Sequence, residues 1–208
     1  MGILLCVSEA IDRVLAAIAR AAGWLFPALV VLICWDIVTR KMGFQLPGFG
    51  STPVQELEWH LHGALFLFWI GYAYVRNVHV RIDVFIANMS PQRQARLEIF
   101  GILFFATPYL LVATWYAFQF AHTSFVQNEM SDAPNGLTHR WIIKGCLFLG
   151  FMLMNLAVVS VLFRKIVFLC GPPDLSARAQ PEPEKPVSSG TPGPVEISAG
   201  ARPAPARH

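Results

Sequence analysis

The sequence predicts an all-α membrane protein of four transmembrane helices, with both termini in the cytoplasm and a short interfacial helix between helices 2 and 3. Three observations carry this reading. Hydrophobic residues make up 55% of the 208 residues and charged residues only 14%, where a soluble domain carries about 25% charged. The apolar residues fall into four blocks, each near the roughly 20 residues a helix needs to cross about 30 Å of hydrocarbon. Basic residues, finally, concentrate on alternate sides of those blocks. A net charge of +3 without any Lys/Arg run gives no nucleic-acid footprint, so the partner that composition implies is the lipid bilayer.

The spans are expected at about 18–39, 56–76, 97–121 and 141–165. Backbone N–H and C=O groups have no water to bond in lipid, so each span must satisfy them internally as a helix. The first apolar block, Ala21 to Val38, follows an Ala-rich, mildly amphipathic stretch from Ile11 to Arg20. The second, Trp59 to Val75, carries no formal charge, and nothing between Glu98 and Glu129 is charged either. The fourth, Ile142 to Phe163, has Lys144 one turn in. Pro27 and Pro108 sit mid-span and should kink helices 1 and 3.

Orientation follows from the basic residues. Arg13, Arg20, Arg76, Arg81, Arg93, Arg96, Arg164 and Lys165 fall on one side, against Arg40, Lys41, Arg140 and Lys144 on the other. The richer side faces the cytoplasm. In the middle loop, Ile82, Phe85, Ile86 and Met89 repeat at the spacing of one helical face, which predicts an amphipathic helix lying in the interface. Ser90 and Pro91 then serve as N-cap and first residue of the third helix.

Residues 1–170 form the membrane domain, and a tail follows over 171–208. Nine of the 15 prolines lie in that tail and no aromatic residue does. Such a segment cannot bury enough apolar surface to offset its ordering entropy, so a disordered cytoplasmic tail is expected. Cys6, Cys34, Cys146 and Cys170 show no metal spacing and read as small hydrophobes. The opening MGILLCVSEAID lacks the basic start of a cleavable signal peptide.

Ionisable groups at membrane depth are costly and become site candidates for that reason. Asp36 and Arg40, four residues apart near the outer end of helix 1, form a candidate structural charge pair. The densest constellation opens helix 2. There Glu56, Glu58, Trp59, His60 and His62 are candidates for partner contacts at the outer interface. Zinc is disfavoured because His60 and His62 project to different sides and no HExxH is present. At the other end of helix 2, Arg76, His79, Arg81 and Asp83 are expected to anchor the chain at the cytoplasmic interface. No nucleotide loop and no nucleophile motif appears, so the chain is expected to be neither an enzyme nor an ATP-driven motor, and no cofactor is expected.

At these constellations the sequence resembles the small membrane subunit, the DctQ type, of tripartite ATP-independent periplasmic (TRAP) transporters. The likeness rests on three stretches in order: Asp36-Ile-Val-Thr-Arg40, Gln55-Glu-Leu-Glu-Trp-His-Leu-His62, and Gly71-Tyr-Ala-Tyr-Val-Arg-Asn-Val-His-Val-Arg-Ile-Asp-Val-Phe85. It covers roughly residues 11 to 168; the Pro-rich tail departs from it. The resemblance implies a scaffold subunit of a secondary transporter in the bacterial inner membrane. Its implied partners are a large membrane permease subunit, which holds the substrate and sodium sites, and a periplasmic substrate-binding protein that captures an organic acid.

Two other readings compete. A four-helix cytochrome would ligate haem through His60 or His62 and His122, which lie near the same predicted surface. A membrane assembly or anchoring factor would have no transport partner.

Overall fold

The computed structural model describes residues 1–44, 50–78, 89–133 and 135–179. Helix α1 (Gly2–Gly23) leads through Trp24 into α2 (Leu25–Met42), and α3 (Ser51–Val75) follows. Then come α4 (Pro91–Gly101), a π-helical turn (Ile102–Ala106) and α5 (Thr107–Val126), which make one continuous rod. The long α6 (Trp141–Cys170) and the short α7 (Pro173–Ala179) complete the order. No strand occurs among the described residues.

The two mid-span prolines account for the two irregularities. A proline lacks the N–H that would bond residue i−4 and its ring crowds that carbonyl. For Pro27 that residue is Gly23, where α1 ends. For Pro108 it is Phe104, in the middle of the π-helical turn.

Gly2–Met42, Pro91–Val126 and Trp141–Cys170 are each long and apolar enough to cross a membrane, and no more than 22% of any of their apolar windows is buried inside the protein. Apolar surface on that scale needs lipid or a partner to cover it. The 41 residues of Gly2–Met42 would reach about 60 Å, twice the hydrocarbon thickness. The first turns of α1, with Glu9, Asp12 and Arg13, therefore extend beyond it. The helix that carries the first span thus begins at Gly2, and helix 3 begins at Pro91 with Ser90 at the N-cap position, as the sequence indicated. With 25 residues α3 is long enough as well, but its first half carries Glu56, Glu58, His60 and His62.

α6 is the spine, with α1, α3 and α5 packed along it. Two glycines set the α3–α6 crossing. A Cβ on Gly71 would lie 2.9 Å from the carbonyl oxygen of Leu153, and one on Gly150 would lie 2.9 Å from Cβ of Leu67. Neither position has room for a side chain, so the backbones approach closely, as small residues permit in membrane bundles. Leu15, Leu153 and Ala157 pack beside this crossing, and Ile102, Leu110 and Val158 form a second core between the α4–α5 rod and α6.

Three of the packed pairs also carry a polar clasp. Ser8 and Ser160 share a hydroxyl bond of 2.8 Å between α1 and α6, and Ser160 donates to Asp12 at 2.5 Å. Trp69 Nε1 donates to the carbonyl of Ala19 at 2.8 Å, joining α3 to α1. Asn155 donates to Thr114 at 2.8 Å, joining α6 to α5.

Ion pairs gather at the two ends of the bundle. At one end Arg164 meets Asp12 at 3.2 Å, Lys165 meets Glu98 at 2.5 Å and Arg178 meets Glu9 at 3.0 Å. At the other, Arg40 pairs with Asp36 and Lys144 with Glu129. The tail does not begin as irregular chain at residue 171: α7 folds back so that Ala179 is buried with Leu5 and Val167. The interfacial helix expected around Ile82 to Met89 lies outside the described residues, apart from Met89, and so does the chain beyond Ala179.

Candidate functional site

The polar end of the bundle is built from the close of α2, the opening of α3 and the connection 127–140. α2 stops where Gly43 takes a left-handed conformation, φ 69°. Two turns earlier Asp36 is buried at 4% exposure, with its carboxylate against Arg40, whose side chain is 52% exposed. The acid is sunk between helices while the guanidinium reaches the surface, the arrangement expected of a long cationic side chain at an interface. Gln55 of α3 completes the junction. With its amide oxygen turned toward Arg40, it accepts from the two terminal guanidinium nitrogens at 3.2 and 2.6 Å. Glu58 also lies within the field of Asp36 and Arg40, and its Oε1 is buried with no hydrogen-bond partner among the described residues.

Glu56 points the other way. Its carboxylate accepts from the Ser131 hydroxyl and from the backbone N–H of Leu137, the latter at 2.5 Å. It therefore ties the connection 127–140 to α3. That connection is folded on itself. The Ser131 N–H bonds the carbonyl of Leu137 at 3.1 Å, and the Arg140 N–H bonds that of Glu129 at 3.2 Å. Asn128, Asn135 and His139 take positive φ, at 47°, 60° and 63°, a conformation asparagine tolerates better than most residues. Beside it Lys144 pairs with Glu129 and lies 3.8 Å from the centre of the Phe120 ring. The ammonium holds the Glu129 carboxyl below the usual carboxylate range.

Trp59, His60 and His122 are engaged within the chain, whereas His62 is exposed. Arg140 sits 5.9 Å over the Trp59 ring. His60 stacks at 3.9 Å against Trp59, and its Nδ1 lies 2.5 Å from the carbonyl of Glu56. A carbonyl only accepts, so Nδ1 carries the proton. His122 stacks on Phe118 of its own helix at 5.9 Å. Among the described residues no group of three or more His, Cys, Asp or Glu is placed to hold a metal ion. Of the anchors expected beyond α3, Arg76 donates to the Tyr72 hydroxyl at 3.2 Å, while His79, Arg81 and Asp83 lie outside the described residues.

The structure thus brings Asp36, Arg40 and Glu58 together, and separates Glu56 from Glu58. Sequence reasoning did not pair Lys144 with Glu129, and it gave no role to Ser131, Leu137 or Gln55. The Asn135-Gly136 dipeptide was the available signal for a compact turn there. The donors and acceptors of this end fix helices and a connection in place, leaving a rigid polar surface on an apolar bundle.

Such features define an all-helical protein with long apolar helices, whose polar groups hold those helices and their connection together. Residues 29–168 match the family of the DctQ component of tripartite ATP-independent periplasmic transporters, and the chain belongs to that family. Components of this kind work in transporters beside a DctM and a DctP component, and the family is one of transporter components rather than enzymes. No curated protein and no solved structure matches the chain.

Proposed function

We propose that this chain is the small scaffold subunit of a sodium-coupled transporter that takes up organic acids across the bacterial inner membrane. It packs against a large permease subunit and presents its polar end to the periplasm, where a substrate-binding protein docks. α3 is the fourth span, and both termini are cytoplasmic.

One observation, beyond family membership, supports this most. On α3 and α6 the charged residues at the two ends of the bundle bracket an uncharged stretch of bilayer thickness. On α6 the bracketing residues are Lys144 and Arg164, 20 residues and so about 30 Å apart. On α3, Glu58 and Arg76 stand 18 residues apart, about 27 Å, with no formal charge between them. α3 shows a weaker apolar signal than its neighbours because its first half carries Glu56, Glu58, His60 and His62, while α1, α2 and α6 pack along it.

The test is reconstitution of this chain with its large subunit and binding protein in proteoliposomes, with radiolabelled carboxylic acids as substrates. Uptake should require all three components and an inward sodium gradient, and it should proceed without ATP. Uptake undiminished when this chain is omitted would overturn the scaffold reading. His62→Gln should leave uptake within about twofold, as expected of a side chain outside the chemistry. A visible haem absorption band lost in that variant would instead establish the cytochrome.

A further inference from the structure

Arg20 is a cation inside the first span with no carboxylate beside it. It lies eight residues beyond Asp12 on α1, about 12 Å further from the Asp12–Arg164 end of the bundle. The neighbouring helices agree on that depth. Ala19 accepts from Trp69 Nε1, and Trp69 stands seven residues, about 10 Å, before Arg76 at the close of α3. Leu15 packs against Ala157 and Leu153 of α6, seven and 11 residues inside Arg164. Arg40, Arg164 and Arg178 each meet a carboxylate. Arg20 is exposed, and among the described residues it bonds only the carbonyl of Ala16, from Nε at 3.3 Å. That bond lays the stem back along one turn of about 5.4 Å, so the charge stays about 6 Å inside the level of Asp12. A cation held there is costly unless an opposite charge meets it.

The surface around Arg20 is shaped for another helix. Arg13, exposed and likewise bonded to a carbonyl of its own helix, that of Glu9, lies seven residues earlier and within about 20° of Arg20 around the axis. Ala16 and Ala17 flank the strip between the two arginines, and Ala17 is exposed. Side chains this small let a second backbone approach closely. Trp24, one turn beyond Arg20, is 78% exposed and extends the same face.

We infer that the Arg13–Ala17–Arg20 strip of α1 receives a transmembrane helix of the large permease subunit, one that sets an aspartate or glutamate against Arg20. Charge selects this occupant. A second copy of this chain has no acid to offer at that depth, because the carboxylates of α1 to α5 gather at the two ends of the bundle: Glu9, Asp12 and Glu98 at one, Asp36, Glu56 and Glu58 at the other. A lipid phosphate lies outside the hydrocarbon, so meeting Arg20 would draw a headgroup down into the span. A carboxylate on an adjacent helix meets the charge where it stands. The inference rests on the scaffold-subunit reading and names a face through which that reading works.

The test is capture of the large subunit by affinity-tagged full-length chain from co-expressing membranes. Wild-type chain should retain the large subunit. Arg20→Leu should lower the captured amount by about tenfold, the scale of one interhelical polar contact in a membrane, and Arg20→Lys, which keeps the charge, should retain most of it. Both variants should run as the same monodisperse species as wild type, since Arg20 holds no other helix of its own chain. A photo-crosslinking benzoylphenylalanine at position 17 should join the two subunits at a helix that bears Asp or Glu. Arg20→Glu should abolish capture, and exchanging that helix's carboxylate for lysine should restore it. If Arg20→Leu captures as much as wild type, if the group at position 17 labels only lipid, or if the exchange restores nothing, the assignment of this face is wrong while the scaffold reading stands. If wild type captures nothing, both fall.

Discussion

The Glu56 carboxylate accepts the backbone N–H of Leu137 at 2.5 Å, across 81 residues of chain. With the Ser131 hydroxyl on its other oxygen, one side chain fastens the whole connection between α5 and α6 to the start of α3. A carboxylate bonded to a backbone donor contributes about 1–3 kcal/mol, and its removal leaves that donor unpaired. Glu56→Ala should therefore lower the melting temperature in detergent and speed proteolysis within 127–140. Glu56→Gln keeps an acceptor oxygen and should cost less. Gly136→Ala should resemble Glu56→Ala, because its Cβ would lie 3.0 Å from Glu56 Oε2 and closer still to Ser131. Equal protease resistance in all three variants would show that the connection holds its shape without Glu56.

The α3–α6 crossing gives a sharper stability prediction. Gly71→Val and Gly150→Val each press a branched side chain into a backbone contact, and overpacking of this kind costs about 1–3 kcal/mol. Gly145, where an added Cβ meets nothing within 4 Å, is the control on α6, the helix of Gly150. Thermal unfolding of the three valine variants in one detergent should separate Gly71 and Gly150 from Gly145. A Gly145 variant as unstable as the others would show that valine itself, not the crossing, is the cause.

The Glu129–Lys144 pair predicts a pH dependence. Because the folded protein holds the Glu129 carboxyl below its ordinary value of 4.5, the unfolded chain takes up the proton first as pH falls. The pair's contribution is thus fully present above that value and is lost as pH drops through the lower, folded-state value. Wild type should exceed Glu129→Gln in stability at pH 7, and the gap should narrow as pH falls below 4.5. A gap that persists unchanged at pH 3.5 would mean that Glu129 acts through shape rather than charge.

The helices were legible because lipid allows the backbone a single solution, and because proline acts locally. Pro27 and Pro108 announce irregularities that fall four residues upstream, at Gly23 and Phe104. Contacts between distant residues were not legible. Helical spacing puts Glu56 and Glu58 on different faces, but it does not say which one holds a connection and which sinks beside Asp36. Gly71 and Gly150 read as ordinary glycines until both helices are in place. The pairing of Ser8 with Ser160, 152 residues apart, likewise depends on how α1 lies along α6.

The tail boundary yields the last prediction. Composition alone places it near residue 171, because prolines begin there and aromatic residues cease. Yet Leu175 and Ala179 are apolar and stand four apart, enough for one helical face to return to the bundle. Ala179 buries itself with Leu5 and Val167, the Ser176 hydroxyl bonds the carbonyl of Phe168 at 3.2 Å, and Arg178 reaches Glu9 at 3.0 Å. That ion pair is exposed and adds little, so the apolar contact carries the docking. Truncation after Ala179 removes none of these contacts and should leave the melting temperature unchanged. Truncation after Cys170 uncovers Leu5 and Val167 and should cost about 1–3 kcal/mol, the scale for re-exposing one to two such side chains in part. The loss should centre on α1, where hydrogen exchange of residues 3–8 should quicken in the shorter protein only. If the two truncations melt together and exchange alike, α7 contributes nothing to holding α1 against α6, and the functional boundary returns to Cys170.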